Sequence, residues 1–361
     1  MDRYNSENED PVKFDSIGLE KLKDLYKPLL VSVKHGLDDD PWFNEIYVSK
    51  KSIAPHLDWN RLGRHFLTVF AIGDALGINS EAVVDFSIFY AKHRLIPIQL
   101  YDFAIDNILY SYHSDSRLQI ANIGLVNLLS QLNGGYIANT QFNKGDVFWK
   151  KYCELTGRVV KLAIEELGRR FDKVYLESPE LVLKLYGTDQ SPLLRSSTLE
   201  TPFWGLKILF DAENVTDTWL KEFEQARQLL DDLGDLWEDI LMGRVTYPIL
   251  LSLKSYGINS ELEKLIVRLW NAPNIDAQNT QPSDFDREIF IRFLNDTDSL
   301  SLSTKKVSQW LDKVESEILR QQFMGNIEGI LILIDLKRAY LSRLIQANYK
   351  DQAPSNNILG L

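Results

Sequence analysis

The stretch QLLDDLGDLWEDILMGRVTYP, residues 228–248, is the part of the sequence that decides the fold and the chemistry to look for. Asp231, Asp235 and Asp239 recur every fourth residue, so in a continuous helix their carboxylates are expected on one face. Like charges stacked in this way repel each other. We therefore expect a cation in front of them, and Mg²⁺ is the natural candidate because it prefers oxygen ligands and usually takes one or two carboxylates.

The helix that carries these acids has recognisable ends in the sequence. Thr216 and Asp217 are both suitable N-terminal caps, and Gly243 is a suitable stop. The predicted helix therefore has about 26 residues and a length of about 39 Å. We expect it to cross the domain with its carboxylate row facing an interior cavity.

Bulk composition restricts the possible function classes. The chain has 361 residues, of which 45% are hydrophobic and 11% aromatic, enough for a substantial core. Its net charge of −11 argues against nucleic-acid binding, which requires a basic face. The single cysteine, Cys153, excludes an internal disulfide framework and a thiolate metal site. These features are expected of a cytoplasmic protein.

Helical spacing of apolar residues predicts an all-α fold with roughly a dozen helices in a single domain, residues 13–349. Residues 1–12 and 350–361 are polar and predicted to be flexible tails. The N-terminus lacks the basic and then apolar pattern of a secretory signal, and the apolar runs are too short for a membrane anchor. Four segments are predicted as connections, namely 35–41, 133–144, 179–201 and 271–286.

A second pair of acids lies upstream, in the segment Tyr101-Asp102-Phe103-Ala104-Ile105-Asp106. Asp102 and Asp106 are again four residues apart and are flanked by apolar side chains. A buried charged pair is costly unless it is paired or coordinated, although a surface stripe explains these two acids equally well. Together the two acidic rows suggest opposite walls of one cavity, where Mg²⁺ ions would hold a diphosphate and stabilise it as it departs.

These motifs resemble those of the class I isoprenoid-diphosphate superfamily, which contains trans-prenyl diphosphate synthases, squalene and phytoene synthases and class I terpene synthases. Residues 228–248 are similar to its second aspartate-rich motif, Q-x-x-D-D-x-x-D-x-x-x-D, and the G-K-x-T-L-P element that follows it, with Arg244 in place of the lysine. They also resemble the squalene and phytoene synthase ending E-D-x-x-x-G-R-x-Y-L-P. Asp102-x-x-x-Asp106 falls where the first aspartate-rich motif belongs.

The resemblance implies a single large antiparallel α-helical bundle of the isoprenoid synthase type, with a central cavity between the two acidic helices. It implies Mg²⁺, with three ions when diphosphate is bound, and a homodimer as in many relatives. The implied metal ligands are Asp102, Asp106, Asp231, Asp232, Asp235 and Asp239, of which Asp102, Asp106, Asp231 and Asp235 would be catalytic. The implied diphosphate-binding residues are Gln228, Arg244, Lys184, Thr188 and Arg195.

Departures from the family pattern indicate which branch the chain resembles. In elongating synthases the first motif has a further Asp where this chain has Phe103, and paired arginines follow it closely, whereas the nearest arginine here is Arg117. The N-terminal G-K-R-x-R-P element that holds isopentenyl diphosphate is not recognisable either. We therefore expect a terpene synthase that ionises one allylic prenyl diphosphate and guides the cation to cyclise or lose a proton.

Aromatic faces stabilise carbocations, so several side chains are candidates to line the cavity. They are Tyr101, Phe103, Trp237, Phe203 and Trp204, with Ile98 leaving room for a longer prenyl chain. Two alternatives remain open. One is a prenyltransferase, either elongating or of the head-to-head squalene type, and the other is a non-catalytic helical scaffold that retains the fold.

Overall fold

Helices form all of the regular secondary structure that the structure describes. The computed structural model describes residues 16–41, 43, 59–97, 134, 137, 142–186, 188, 191–194, 199–212, 215–270 and 283–350. No strand occurs among these residues, which confirms the all-α prediction. The two predicted tails and the segment with Asp102 and Asp106 lie outside the described residues.

Fourteen α-helices have defined bounds in the described ranges. In chain order they are α1 (Ser16–Asp38), α2 (Trp59–Ala75), α3 (Ser80–Tyr90), α4 (Gly145–Arg169), α5 (Val174–Glu177), α6 (Pro179–Leu185), α7 (Glu200–Leu209), α8 (Thr218–Gly234), α9 (Leu236–Leu241), α10 (Tyr247–Tyr256), α11 (Glu261–Trp270), α12 (Asp284–Asp296), α13 (Ser299–Arg320) and α14 (Glu328–Lys350). A π-helical turn, Ala91–Leu95, continues α3, and a 3₁₀ turn covers Pro192–Leu194. Of these helices, none is both long and apolar enough to cross a bilayer.

Helix α8 lies at the centre of the described core. It is amphipathic, and its apolar face, which includes Trp219, Phe223, Leu230 and Leu233, is buried. This face packs most extensively along α13 and also against α10 and α14. Helix α14 in turn packs along α2, so side chains from α2 and α14 can reach the acidic part of α8.

The predicted continuous helix over the second acidic motif is interrupted in the structure. It begins as expected, with Asp217 at the cap position before Thr218, but α8 ends at Gly234 and a separate short helix, α9, starts at Leu236. Asp235 lies between them with φ −107° and ψ 17°, outside helical geometry. A Cβ at position 234 would collide with the hydroxyl of Tyr340 on α14, so the break occurs where α14 approaches the backbone most closely.

The predicted end of this helical region at Gly243 is confirmed. Gly243 has φ +77°, its N–H donates to Ile240 O at 3.1 Å, and the N–H of Arg244 donates to Asp239 O at 2.8 Å. This is the pair of bonds of a Schellman motif, which places a glycine in the left-handed region. The chain reverses there and enters α10 through Thr246.

The predicted connection over residues 179–201 is wrong in part, because it contains helix α6, Pro179–Leu185. Proline at the first position of a helix has no N–H to leave unsatisfied and has the right φ, so Pro179 starts this helix.

Candidate functional site

Asp231, the first acid of the motif, is held by an arginine one turn before it. Arg227 Nη1 donates to Asp231 Oδ2 at 2.9 Å, and Arg227 Nε donates to Glu224 Oε2 at 3.1 Å. Glu224 is completely buried, and its other oxygen accepts the backbone N–H groups of Leu199 and Glu200 at the start of α7. The guanidinium of Arg227 is therefore fixed on one side and neutralises a partly exposed carboxylate, 41% accessible, on the other.

Asp232 and Asp239, by contrast, are buried. Asp232 is 1% exposed and accepts the side-chain amide of Gln228 at 3.3 Å. Asp239 is 2% exposed, and Arg244 Nη1 donates to its Oδ1 at 2.9 Å. Both carboxylates are thus engaged inside the protein by the two residues that the sequence predicted to face the diphosphate.

Asp235 is the exposed acid of the motif, and its ionisation is disfavoured. Its backbone N–H still donates to Asp231 O at 3.0 Å, so the two residues remain one turn apart despite the break. Displacement of water by the surrounding protein, together with the negative charges of Asp231 and Glu238, raises the pKa of Asp235 to about 6. A cation bound beside Asp231 and Asp235 would relieve this repulsion.

The prediction that Asp231, Asp235 and Asp239 share one helix face is therefore wrong. Asp231 is partly exposed, Asp235 is exposed and Asp239 is buried. Residues four apart in a helix are offset by about 40°, and the break at Asp235 adds to this rotation. The two solvent-reaching aspartates of the motif are Asp231 and Asp235, so they are the pair best placed to meet a metal ion.

Two basic side chains from other helices, Lys337 and Arg64, lie near this pair, and Lys337 interacts with both Asp231 and Arg227. Burial lowers the pKa of Lys337 on α14, and the charges of Arg227 and of Arg64 on α2 lower it further. The charges of Asp231 and Glu224 oppose this shift. The α2–α8–α14 junction therefore combines carboxylates with three cationic side chains within electrostatic range of one another.

A small cleft lies beyond the end of α9. It is formed by Glu166, Arg169, Tyr175, Val182, Tyr186, Pro192, residues 243–246 and Leu250, with a volume of about 40 Å³. This volume accommodates a few atoms or water molecules rather than a prenyl chain. Glu166 accepts from Arg244 Nε at 2.8 Å and from Arg170 Nε at 3.1 Å, so the charges along this wall are largely balanced.

The hydroxyl of Thr246 lines this cleft and is unusual. Thr246 is 5% exposed, and its Oγ1 has no hydrogen-bond partner among the described residues. It occupies the cap position of α10 with extended geometry, but the second helical residue is Pro248, which has no N–H to donate. A bound water molecule or ligand oxygen would give this buried hydroxyl the hydrogen-bond partner that it lacks.

The loop after α4 holds this end of α9 in place. Phe171 has φ +58°, and its N–H donates to Gly243 O at 3.1 Å. Its ring packs against Trp270, with the ring centroids 5.7 Å apart. Two neighbouring left-handed residues therefore fix the turn that carries Arg244, and non-glycine residues in that conformation are uncommon outside strained or functional positions.

The remaining predicted site residues are not all brought together. Lys184 is exposed in the last turn of α6, and Thr188 is exposed with its hydroxyl donating to Leu185 O at 2.8 Å. Trp237 packs against Phe290, and Phe203 is completely buried against Trp219. Trp204 lies between Lys151 and Lys207, whose amino groups are 4.7 and 4.9 Å from its ring centroid. The predictions that lie outside the described residues are Ile98, Tyr101, Asp102, Phe103, Asp106 and Arg195.

Sequence reasoning missed the groups that neutralise the acids. Arg227 lies four residues before Asp231, a spacing that indicates a helical ion pair and could have been recognised. Glu166, Thr246 and Lys337 carry no local signal, because only the tertiary fold brings them to the motif.

A scan against protein-family models found no matching family, and a search of curated proteins found no match either.

Proposed function

We propose that this protein is a Mg²⁺-dependent enzyme of the isoprenoid synthase type, which ionises an allylic prenyl diphosphate in the cytoplasm and releases diphosphate. The observation that carries the proposal is the pair Asp231 and Asp235. These two carboxylates are one turn apart and reach solvent, and burial together with the charge of Asp231 raises the pKa of Asp235. They lie in a stretch whose residues resemble the second aspartate-rich motif.

The carboxylate oxygens of Asp231 and Asp235 are suitable ligands for Mg²⁺. Both are carboxylates, and Mg²⁺ usually takes one or two protein carboxylates and completes its shell with water and substrate phosphate. Within the described residues, no three potential ligand side chains form a cluster. The further ligands that the proposal requires, Asp102 and Asp106, are predictions from the sequence. When bound, the metal would act as a Lewis acid toward the departing diphosphate.

Basic side chains near these acids could hold diphosphate oxygens. Arg227 and Lys337 interact with Asp231, Arg64 lies within electrostatic range of Lys337, and Arg244 lies beyond the end of α9. Charge-assisted hydrogen bonds from such groups to phosphate are about twice as strong as neutral ones. We infer that the cations at the α2–α8–α14 junction orient the diphosphate, whereas Arg244 positions Asp239 and the turn at Gly243.

The reaction that best fits the sequence is cyclisation or deprotonation of the resulting cation, as in a terpene synthase. Purified protein with Mg²⁺ should convert geranyl, farnesyl, geranylgeranyl or geranylfarnesyl diphosphate to a hydrocarbon or a terpene alcohol, detected by gas chromatography with mass spectrometry. Asp231→Asn should abolish the product, because this carboxylate is one of the two accessible acids. Arg268→Gln, an exposed change on α11 away from the motif, should leave it unchanged.

A prenyltransferase is the second candidate, favoured by the Gly243-Arg244 turn and by Tyr247 and Pro248 at the start of α10, which match the tail of the squalene and phytoene synthase motif. Product length with and without isopentenyl diphosphate separates the two reactions. A longer prenyl diphosphate with added isopentenyl diphosphate indicates elongation, and a C–C coupled dimer of the allylic substrate indicates head-to-head condensation. If Asp231→Asn leaves the protein's cellular role intact, a scaffold is indicated instead.

A further inference from the structure

Arg227 occupies a position between two carboxylates of very different character. Glu224 is completely buried and accepts two backbone N–H groups besides Arg227, so it cannot move without leaving those donors unsatisfied. Asp231 is partly exposed and can reorient. The Nε side of the guanidinium is thus anchored, while Nη1 is engaged with the group that the proposed function assigns to a metal ion.

Arg227 and a metal ion would compete for the carboxylate of Asp231. Nη1 lies 2.9 Å from Asp231 Oδ2, so a divalent cation on Asp231 would have a full positive charge as a near neighbour. The carboxylate must then share its charge between two cations, which weakens both interactions. An anion arriving with the metal changes this balance, because Nη1 can donate to it instead.

We propose that Arg227 is the exchangeable counter-ion of Asp231. In the metal-free protein it neutralises this carboxylate, and once metal and diphosphate are present it donates Nη1–H to a diphosphate oxygen while Glu224 keeps its Nε in place. This inference rests on the proposed function and extends it to a positioning and diphosphate-binding residue that the family-like motif does not include. Planar guanidinium groups suit such a role, because their donors point in fixed directions.

The proposal makes predictions of opposite sign for metal alone and for metal with diphosphate. Arg227→Gln removes the competing charge, so Mn²⁺ alone should bind about two- to fivefold more tightly. It also removes a charge-assisted donor, so Mn²⁺ in the presence of inorganic diphosphate should bind about ten- to a hundredfold more weakly than in the wild type. Free Mn²⁺ measured by electron paramagnetic resonance gives both affinities without any turnover.

Controls separate this effect from a general loss of charge or of folding. Arg268→Gln removes an arginine from an exposed pair with Asp286 on other helices, and should change neither affinity. Arg227→Lys keeps the charge but cannot hold Glu224 and a phosphate together, so diphosphate-dependent affinity should fall while metal-only affinity stays near the wild-type value. Circular dichroism verifies that each variant is folded. If Arg227→Gln does not fold, Arg227→Lys is used for the test instead.

Two failures are distinguishable. If wild-type protein binds Mn²⁺ in a manner that Asp231→Asn abolishes, but the Arg227 variants match the wild type in both titrations, the inference is wrong and the metal site stands. If the Asp231→Asn variant binds Mn²⁺ as tightly as the wild type does, the proposed function is wrong, and the proposed role of Arg227 is wrong with it.

Discussion

Replacing Thr246 by valine should stabilise the protein, which is unusual for a polar residue in a folded core. The hydroxyl is buried, makes no hydrogen bond within the described residues and does not cap α10, whose second residue is Pro248. A desolvated, unsatisfied polar group costs about 1–3 kcal/mol, and valine has nearly the same shape. We therefore expect the free energy of unfolding to rise by about 1 kcal/mol, after allowing for small packing differences.

Urea denaturation of wild type and Thr246→Val measures this change as a shift in midpoint at constant slope. Thr156→Val is the matched contrast, since Thr156 is also buried but accepts a hydrogen bond from the buried Arg94 at 3.0 Å. Losing that partner should lower the free energy of unfolding by about 1–3 kcal/mol. If Thr246→Val destabilises the protein as Thr156→Val does, the hydroxyl is satisfied in the folded state, and the cleft has no unmet donor or acceptor at this position.

Two further predictions concern the turn after α9 and a buried histidine. Gly243→Ala should lower the free energy of unfolding by at least about 2 kcal/mol, because φ is +77° and the new Cβ would lie 2.6 Å from the ring of Phe171. In a Phe171→Ala background, which removes the ring, Gly243→Ala should cost less, and an equal loss in both backgrounds would refute the clash. Burial, reinforced by a neighbouring lysine, lowers the pKa of His93 from 6.5 to about 4. The unfolded chain therefore binds more protons between pH 4 and 6.5, and the stability that neutral His93 contributes is present above pH 6.5 and lost as pH falls. His93→Gln should flatten the dependence of unfolding free energy on pH in this window, and an unchanged slope would show that His93 is not its source.

The helical fold and the ends of the acidic region could be predicted because their signals are local. Apolar periodicity marks the buried face of α8, Asp217 marks its start, and Gly243 marks the end of α9 through its left-handed backbone. The break at Asp235 is not indicated by local spacing; it lies beside Gly234, where the hydroxyl of Tyr340, about a hundred residues later in the chain, approaches the backbone.

The chemistry of the site was only partly predictable for the same reason. Asp231 and Asp235 reach solvent, whereas Asp239 is buried and paired with Arg244, which also contacts the distant Glu166. Repulsion between stacked acids was a sound argument for a positive partner. The structure supplies one such partner as Arg227, and spacing alone does not distinguish an arginine from a metal ion.

The most direct test of the central claim is release of inorganic diphosphate from farnesyl or geranylgeranyl diphosphate by the purified chain. We predict release that requires Mg²⁺, stops with a chelator and is abolished in Asp231→Asn and Asp235→Asn. Wild-type protein that is folded and supplied with Mg²⁺, yet releases no diphosphate from any allylic substrate, would contradict the account.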